Sequence, residues 1–92
     1  MPASSEQIVE QIVLLPKHLH ARPAGQVAQT AARYSDTTIE LVADGRSANA
    51  RSILAVMGLG AVAGSEVRVR AAGGDPAAAT RDIIANLTSP ED

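Results

Sequence analysis

The order of apolar and polar positions divides this chain into seven short elements. Ile8 to Leu15 is dense in Ile and Val and ends at Pro16, which reads as a strand followed by a break. Ala24, Val27, Ala28 and Ala31 then recur at i, i+3, i+4 and i+7, one apolar face of a helix running roughly from Ala21 to Arg33. From Thr37 to Ala43, Ile39 and Leu41 alternate with Thr38, Glu40 and Val42, a second strand. Asp44-Gly45, both tolerant of positive φ, turns it into a short polar strand from Arg46 to Asn49. Ser52 is a natural N-cap for a brief helix from Ile53 to about Met57, stopped by Gly58 and Gly60. In Ser65 to Ala71, Val67, Val69 and Ala71 face one way and Glu66, Arg68 and Arg70 the other. After Gly73-Gly74, Asp75-Pro76 supplies an N-cap and first helical residue for a last helix striped by Ile83, Ile84 and Leu87.

The resulting order is β-α-β-β-α-β-α. Alternating strands imply a sheet with one wet face, so the expected class is α+β: an antiparallel sheet with its helices on the other face. A doubly wound parallel sheet is excluded by the tight hairpin between the second and third strands. No internal repeat or low-complexity linker interrupts the pattern.

Composition narrows the picture. At 92 residues the chain suits one domain spanning 1–92, with flexible tails expected at 1–6 and 89–92. Its core must be aliphatic, because Tyr34 is the only aromatic residue. The absence of Cys removes disulfides, thiolate metal sites and a cysteine nucleophile. The net charge of −2 argues against a sequence-wide nucleic-acid footprint. Met1 to Gln11 lacks the basic-then-apolar pattern of a secretory signal, and the apolar run Ile12 to Leu15 is too short for a bilayer. A cytoplasmic protein without membrane insertion is the resulting expectation.

The run Leu19-His20-Ala21-Arg22-Pro23-Ala24 carries the chemistry. Proline is favoured in a first helical turn, so His20 stands at a helix mouth, where backbone N–H groups and the dipole favour a phosphate. A neutral imidazole nitrogen is a nucleophile. Arg22 offers a planar fork that meets two phosphate oxygens at once. The bland alternative is a surface histidine beside a solvated arginine; the joint placement of His20, Arg22 and Pro23 weighs against it.

The short helix offers a docking surface. Ile53, Leu54, Val56 and Met57 cover an arc of about 160° at about 100° per residue, wide for one small helix to bury. Leu54 and Met57 lie at an edge and are candidates for an exposed apolar contact; alternatively, all four fill the aromatic-poor core.

The hexamer, the element order and the segment from Ala50 to Gly60 (ARSILAVMGLG) together resemble HPr, the histidine-containing phosphocarrier family of the bacterial sugar phosphotransferase system. The resemblance spans about Gln7 to Leu87. It implies an open-faced β-sandwich, a four-stranded antiparallel sheet with three helices on one face. It also implies that enzyme I, charged by phosphoenolpyruvate, phosphorylates His20 with help from Arg22, and that a histidine of an enzyme IIA domain then receives the group. The protein is then a monomeric, stoichiometric carrier, neither a free-standing enzyme nor a user of cofactors. Ala21, Ile53, Leu54 and Met57 are the expected partner contacts. Ser52 matches a serine that some members present to a dedicated HPr kinase/phosphorylase, linking the carrier to a transcriptional regulator.

Three positions depart from the family pattern. His18 stands where glycine is usual, which reshapes the approach to His20. Gln29 and Ala32 replace basic residues on the first helix, with Lys17, Arg33 and Arg51 as compensating charges.

Other readings stay open. His18 and His20 form an H-x-H pair that a metal site would need to supplement with further ligands, which neither Cys nor a nearby carboxylate cluster supplies; no metal is expected. The chain also fits a paralogue in a regulatory or dihydroxyacetone phosphorelay. A further alternative is a binding module switched at Ser52.

Overall fold

Val, Ile and Ala alternating with polar residues build four strands: β1 (Ile8–Leu14), β2 (Thr38–Ala43), β3 (Arg46–Asn49) and β4 (Glu66–Ala72). Three helices separate them: α1 (Ala21–Ala32), α2 (Ile53–Met57) and α3 (Pro76–Thr88). The structure is a computed structural model that describes residues 7–89. The tails expected at 1–6 and 89–92 lie outside these residues, except Ser89, which C-caps α3.

The described strands form one sheet in the order β1-β4-β2-β3, every neighbouring pair antiparallel. The helices cover one face, giving the open-faced α+β sandwich anticipated above. Ile39, Leu41, Val67, Val69 and Ala71 point inward from the sheet and are buried with Ala24, Val27 and Ala31 of α1 and Ala79, Ile83 and Leu87 of α3. Each fully buried Val, Leu or Ile contributes roughly 1.5–3 kcal/mol. On the open face, Arg70 sits between Glu10 and Glu40, at 3.2 Å and 4.0 Å. Exposed pairs of this kind add at most about 1 kcal/mol. That face is not wholly polar, since Ile8, Ile12 and Leu14 of the edge strand are exposed on it.

The turns follow the local chemistry. Asp44 and Gly45 both adopt positive φ, 53° and 78°, as a two-residue hairpin requires. Gly74, at φ 58°, is pressed against the 36–37 turn, where an added Cβ would lie 2.5 Å from Thr37 Oγ1 and 2.9 Å from the Asp36 carbonyl. The same Thr37 Oγ1 accepts from the Asp75 N–H at 3.1 Å.

Boundaries shift by a residue where a turn competes with an element. Ser65 is not in β4: its N–H bonds to Val62 O, and its Oγ accepts from the Val62 N–H at 3.0 Å, closing a turn. β4 instead reaches Ala72, which pairs with both Ile8 and Thr38. Arg33 is the C-cap of α1 rather than its last helical residue.

Two long-range ties hold the helices in place. The Tyr34 hydroxyl donates to Asp82 Oδ2 of α3, which raises the Tyr34 pKa and lowers that of Asp82, the hydrogen bond being the main cause in both. Arg51 donates from Nη2 to the carbonyls of Tyr34 and Thr37, and its N–H donates to Asn49 Oδ1 at 2.9 Å. Arg51, expected as a compensating charge, also has a structural task. Its guanidinium is engaged with backbone, clamping the α1–β2 connection to the segment ahead of α2.

Candidate functional site

The site is assembled by a loop held at two points. Leaving β1, the chain buries Leu15, whose N–H donates to Ser65 O at 2.9 Å while its carbonyl accepts from Gly64 N at 2.8 Å. Four residues later Leu19 is also buried, its N–H bonded to Ala61 O at 3.0 Å. Pro16, Lys17 and His18 bridge these anchors. Because Leu19 points into the core, its neighbours on either side project outward.

His20 is the N-cap of α1, with extended backbone (φ −89°, ψ −164°) and a half-buried side chain that makes no capping hydrogen bond. Arg22 is exposed in the first turn, and Pro23 is buried beneath it. Pro23 has no N–H, and the Ala24 N–H is taken by His20 O at 3.0 Å. Neither Pro23 nor Ala24 therefore offers an N–H to a ligand in the first turn. Ala21 itself is exposed. Histidine, guanidinium and helix start are thus brought together as the sequence anticipates.

His18, exposed, stands beside His20 with ring centroids 5.3 Å apart and planes inclined by 56°. Among the described residues no group of three or more His, Cys, Asp or Glu converges as a metal cage.

The second half of the candidate surface is α2. Ser52 caps it, Oγ accepting from the Ala55 N–H at 3.1 Å. Val56 is fully buried, whereas Leu54 is 81% exposed, Ile53 43% and Met57 38%. Of the two readings of this helix, the one in which all four apolar residues fill the core is excluded by these exposures. At its end, Arg46 Nη1 donates to Gly58 O at 3.2 Å, and the chain continues through buried Leu59 to Ala61, the residue that receives Leu19. The apolar edge and the histidine loop are therefore two ends of one hydrogen-bonded assembly.

A groove of about 560 Å³ lies elsewhere, on the open sheet face between Ile12, Val42, Arg68 and the 44–45 hairpin; its lining includes none of the candidate site residues His20, Arg22, Ser52, Ile53, Leu54, Met57 and Ala21. His20 belongs to an outward surface, suited to a reactive group carried on a macromolecule. Sequence reasoning missed Arg51 as a clamp and the Tyr34–Asp82 tie, both of which join residues distant along the chain.

Comparison with known proteins agrees with this geometry. The family model for the PTS HPr component phosphorylation site matches residues 9–89. A phosphocarrier protein HPr from Bacillus anthracis is 30% identical, over 88% of this chain and 98% of its own, with a TM-score of 0.81. The histidine-containing phosphocarrier protein of a Mycoplasma is 27% identical, covering 88% and 99%, at a TM-score of 0.78. Crh, the Bacillus subtilis catabolite repression HPr, is 33% identical, covering 90% and 100%, at 0.67.

Proposed function

The chain belongs to the HPr family of phosphotransferase-system phosphocarriers, and from that premise we propose that His20 is the residue that carries the phosphoryl group. The observation that supports this most is the placement of His20: an outward imidazole at the start of α1, on a loop pinned at Leu15 and Leu19, with Arg22 in the adjoining turn. A ring nitrogen attacks phosphorus through its lone pair, forming an N–P bond. The electron pair of the broken bond leaves with the donor, and the other ring nitrogen keeps its proton. Arg22 and the first-turn amides then face the phosphoryl oxygens, supplying the positioning and charge stabilisation on which such transfers depend.

The donor is enzyme I charged from phosphoenolpyruvate, and the acceptor is a histidine of an enzyme IIA domain. Because the two dock in turn, one surface serves both: Ala21 with the exposed Ile53, Leu54 and Met57. The protein acts as a single-domain, monomeric carrier in the cytoplasm. It needs no cofactor, and it ends each half-reaction covalently changed rather than turning over as an enzyme. Among the described residues no helix is long and apolar enough to cross a membrane.

The experiment is direct. Incubated with enzyme I and labelled phosphoenolpyruvate, the protein should gain an acid-labile, base-stable label that is absent from His20→Ala. Label persisting in that variant, or none on the parent protein, overturns the assignment.

A second reading is favoured by the likeness to Crh, the catabolite repression HPr of Bacillus subtilis. In it, phosphorylation of Ser52 by an HPr kinase/phosphorylase alters the neighbouring apolar edge and so engages a transcriptional regulator. Label on Ser52 with kinase and ATP, and none on His20 with enzyme I, would favour this reading.

A further inference from the structure

The phosphohistidine reading leaves one side of the site unexplained. Three phosphoryl oxygens have to be met. The helix side offers the start of α1 and the Arg22 guanidinium, while the loop side offers the exposed ring of His18.

His18 and His20 flank Leu19, whose side chain is buried and whose N–H is tied to Ala61 O. This anchor sets both imidazoles outward from one short extended segment, 5.3 Å apart at their centroids and tilted by 56°. At that tilt the two rings are not stacked face to face. Imidazole nitrogens lie on the ring edge, and a phosphoryl oxygen stands roughly 3 Å from the nitrogen that bears the phosphorus, the scale of a hydrogen bond. With the centroids only 5.3 Å apart, a phosphoryl group on the His20 nitrogen nearer His18 would bring an oxygen to hydrogen-bonding range of that ring. The loop is already fixed at Leu15 and Leu19, so little ordering opposes the contact.

We propose that His18 is a specificity-determining residue of this carrier: its ring donates a hydrogen bond to the phosphoryl group on His20 and so lowers the readiness of the phosphorylated form to give that group away. The proposal rests on the phosphohistidine reading above. No bond is made or broken at His18, which contributes a donor to the product of the transfer already described.

The test uses the full chain and two variants, His18→Gly and His18→Gln, the second retaining an N–H donor. Each is equilibrated with enzyme I and labelled phosphoenolpyruvate, and the partition of label between enzyme I and carrier is measured. A hydrogen bond to a charged group that is partly exposed predicts an equilibrium shift of about threefold to tenfold towards enzyme I in His18→Gly. His18→Gln should recover most of it. The phosphorus NMR resonance of phospho-His20 should move in His18→Gly and move back in His18→Gln, a signature that a purely structural role for the loop would not produce. Label on His20 with the same partition and resonance in all three proteins overturns this inference and leaves the carrier reading standing. Label found on His18 itself overturns the inference as well. Absence of label from His20 in the parent protein overturns both.

Discussion

Two helix starts in this molecule are finished differently. At α3 the fold closes its own end: Asp75 Oδ1 accepts from the Ala78 N–H, Pro76 occupies the first turn, and Thr37 Oγ1 receives the Asp75 N–H. At α1 the N-cap is a histidine whose side chain makes no capping bond. Ser, Thr, Asp and Asn are the residues that cap best, and a capping oxygen contributes about 1 kcal/mol. The chain uses Asp75 and Ser52 at two helix starts and forgoes such a residue at the third. At α2 and α3 the capping side chain turns back to the helix; at α1 the ring makes no such bond, as the proposed phosphoryl acceptor requires.

This contrast can be broken from either side. The largest effect should come from His20→Ala: phosphoryl label falls to background while the thermal midpoint stays close to that of the parent, since no cap is lost. A melting curve shifted as far as that of a capping variant would show the two helix starts to be alike after all. Arg22→Ala should slow transfer from enzyme I about tenfold to a hundredfold, the worth of a hydrogen bond to a charged group at roughly 1.5–3 kcal/mol, with folding intact. Rapid-quench rates that match the parent would remove Arg22 from its role.

At the other start the losses should be of stability and not of transfer. Gly74→Ala puts a Cβ against Thr37 Oγ1 and the Asp36 backbone at positive φ, and should cost about 2 kcal/mol by urea denaturation. Asp75→Ala should cost about 1 kcal/mol. Either variant slowing phosphoryl transfer at temperatures where it remains folded would tie α3 to the chemistry.

The smallest effect concerns acid. The Tyr34 hydroxyl holds the Asp82 carboxyl below its ordinary value, so the native state binds that proton less readily than the unfolded chain. Its contribution is complete above the unfolded carboxylate value of about 4 and is lost as pH falls through the lower folded value. Asp82→Asn should flatten that part of the stability profile. An unchanged slope below about pH 4 would show that the tie is not felt.

Much of this was legible in the sequence because the signals were local. The Asp44-Gly45 hairpin, the alternation through Val67, Val69 and Ala71 and the Asp75-Pro76 start each depend on neighbours a few positions away. The His20-Arg22-Pro23 spacing likewise needs only one helical turn. Less visible was whatever depends on distant partners. Arg51 reads as a surface charge until Tyr34 and Thr37 are seen beside it. Ser65 reads as strand until Val62 claims it for a turn, and Gly74 reads as a generic turn residue until Thr37 is found where its side chain would be. The exposure of Leu54 could be narrowed to an edge by counting helical steps. Choosing between an outer edge and a filled core required the packing of Val56.

The sheet order has a consequence for biosynthesis. β1 and β2 are not neighbours; each pairs with β4, the last strand to be made. Leu15 and Leu19 likewise rest on residues 61–65. A nascent chain that has already released its histidine segment has nowhere to set it until residues 61–72 have emerged. Polypeptides ending before β4 should carry the His20 segment with its geometry unformed.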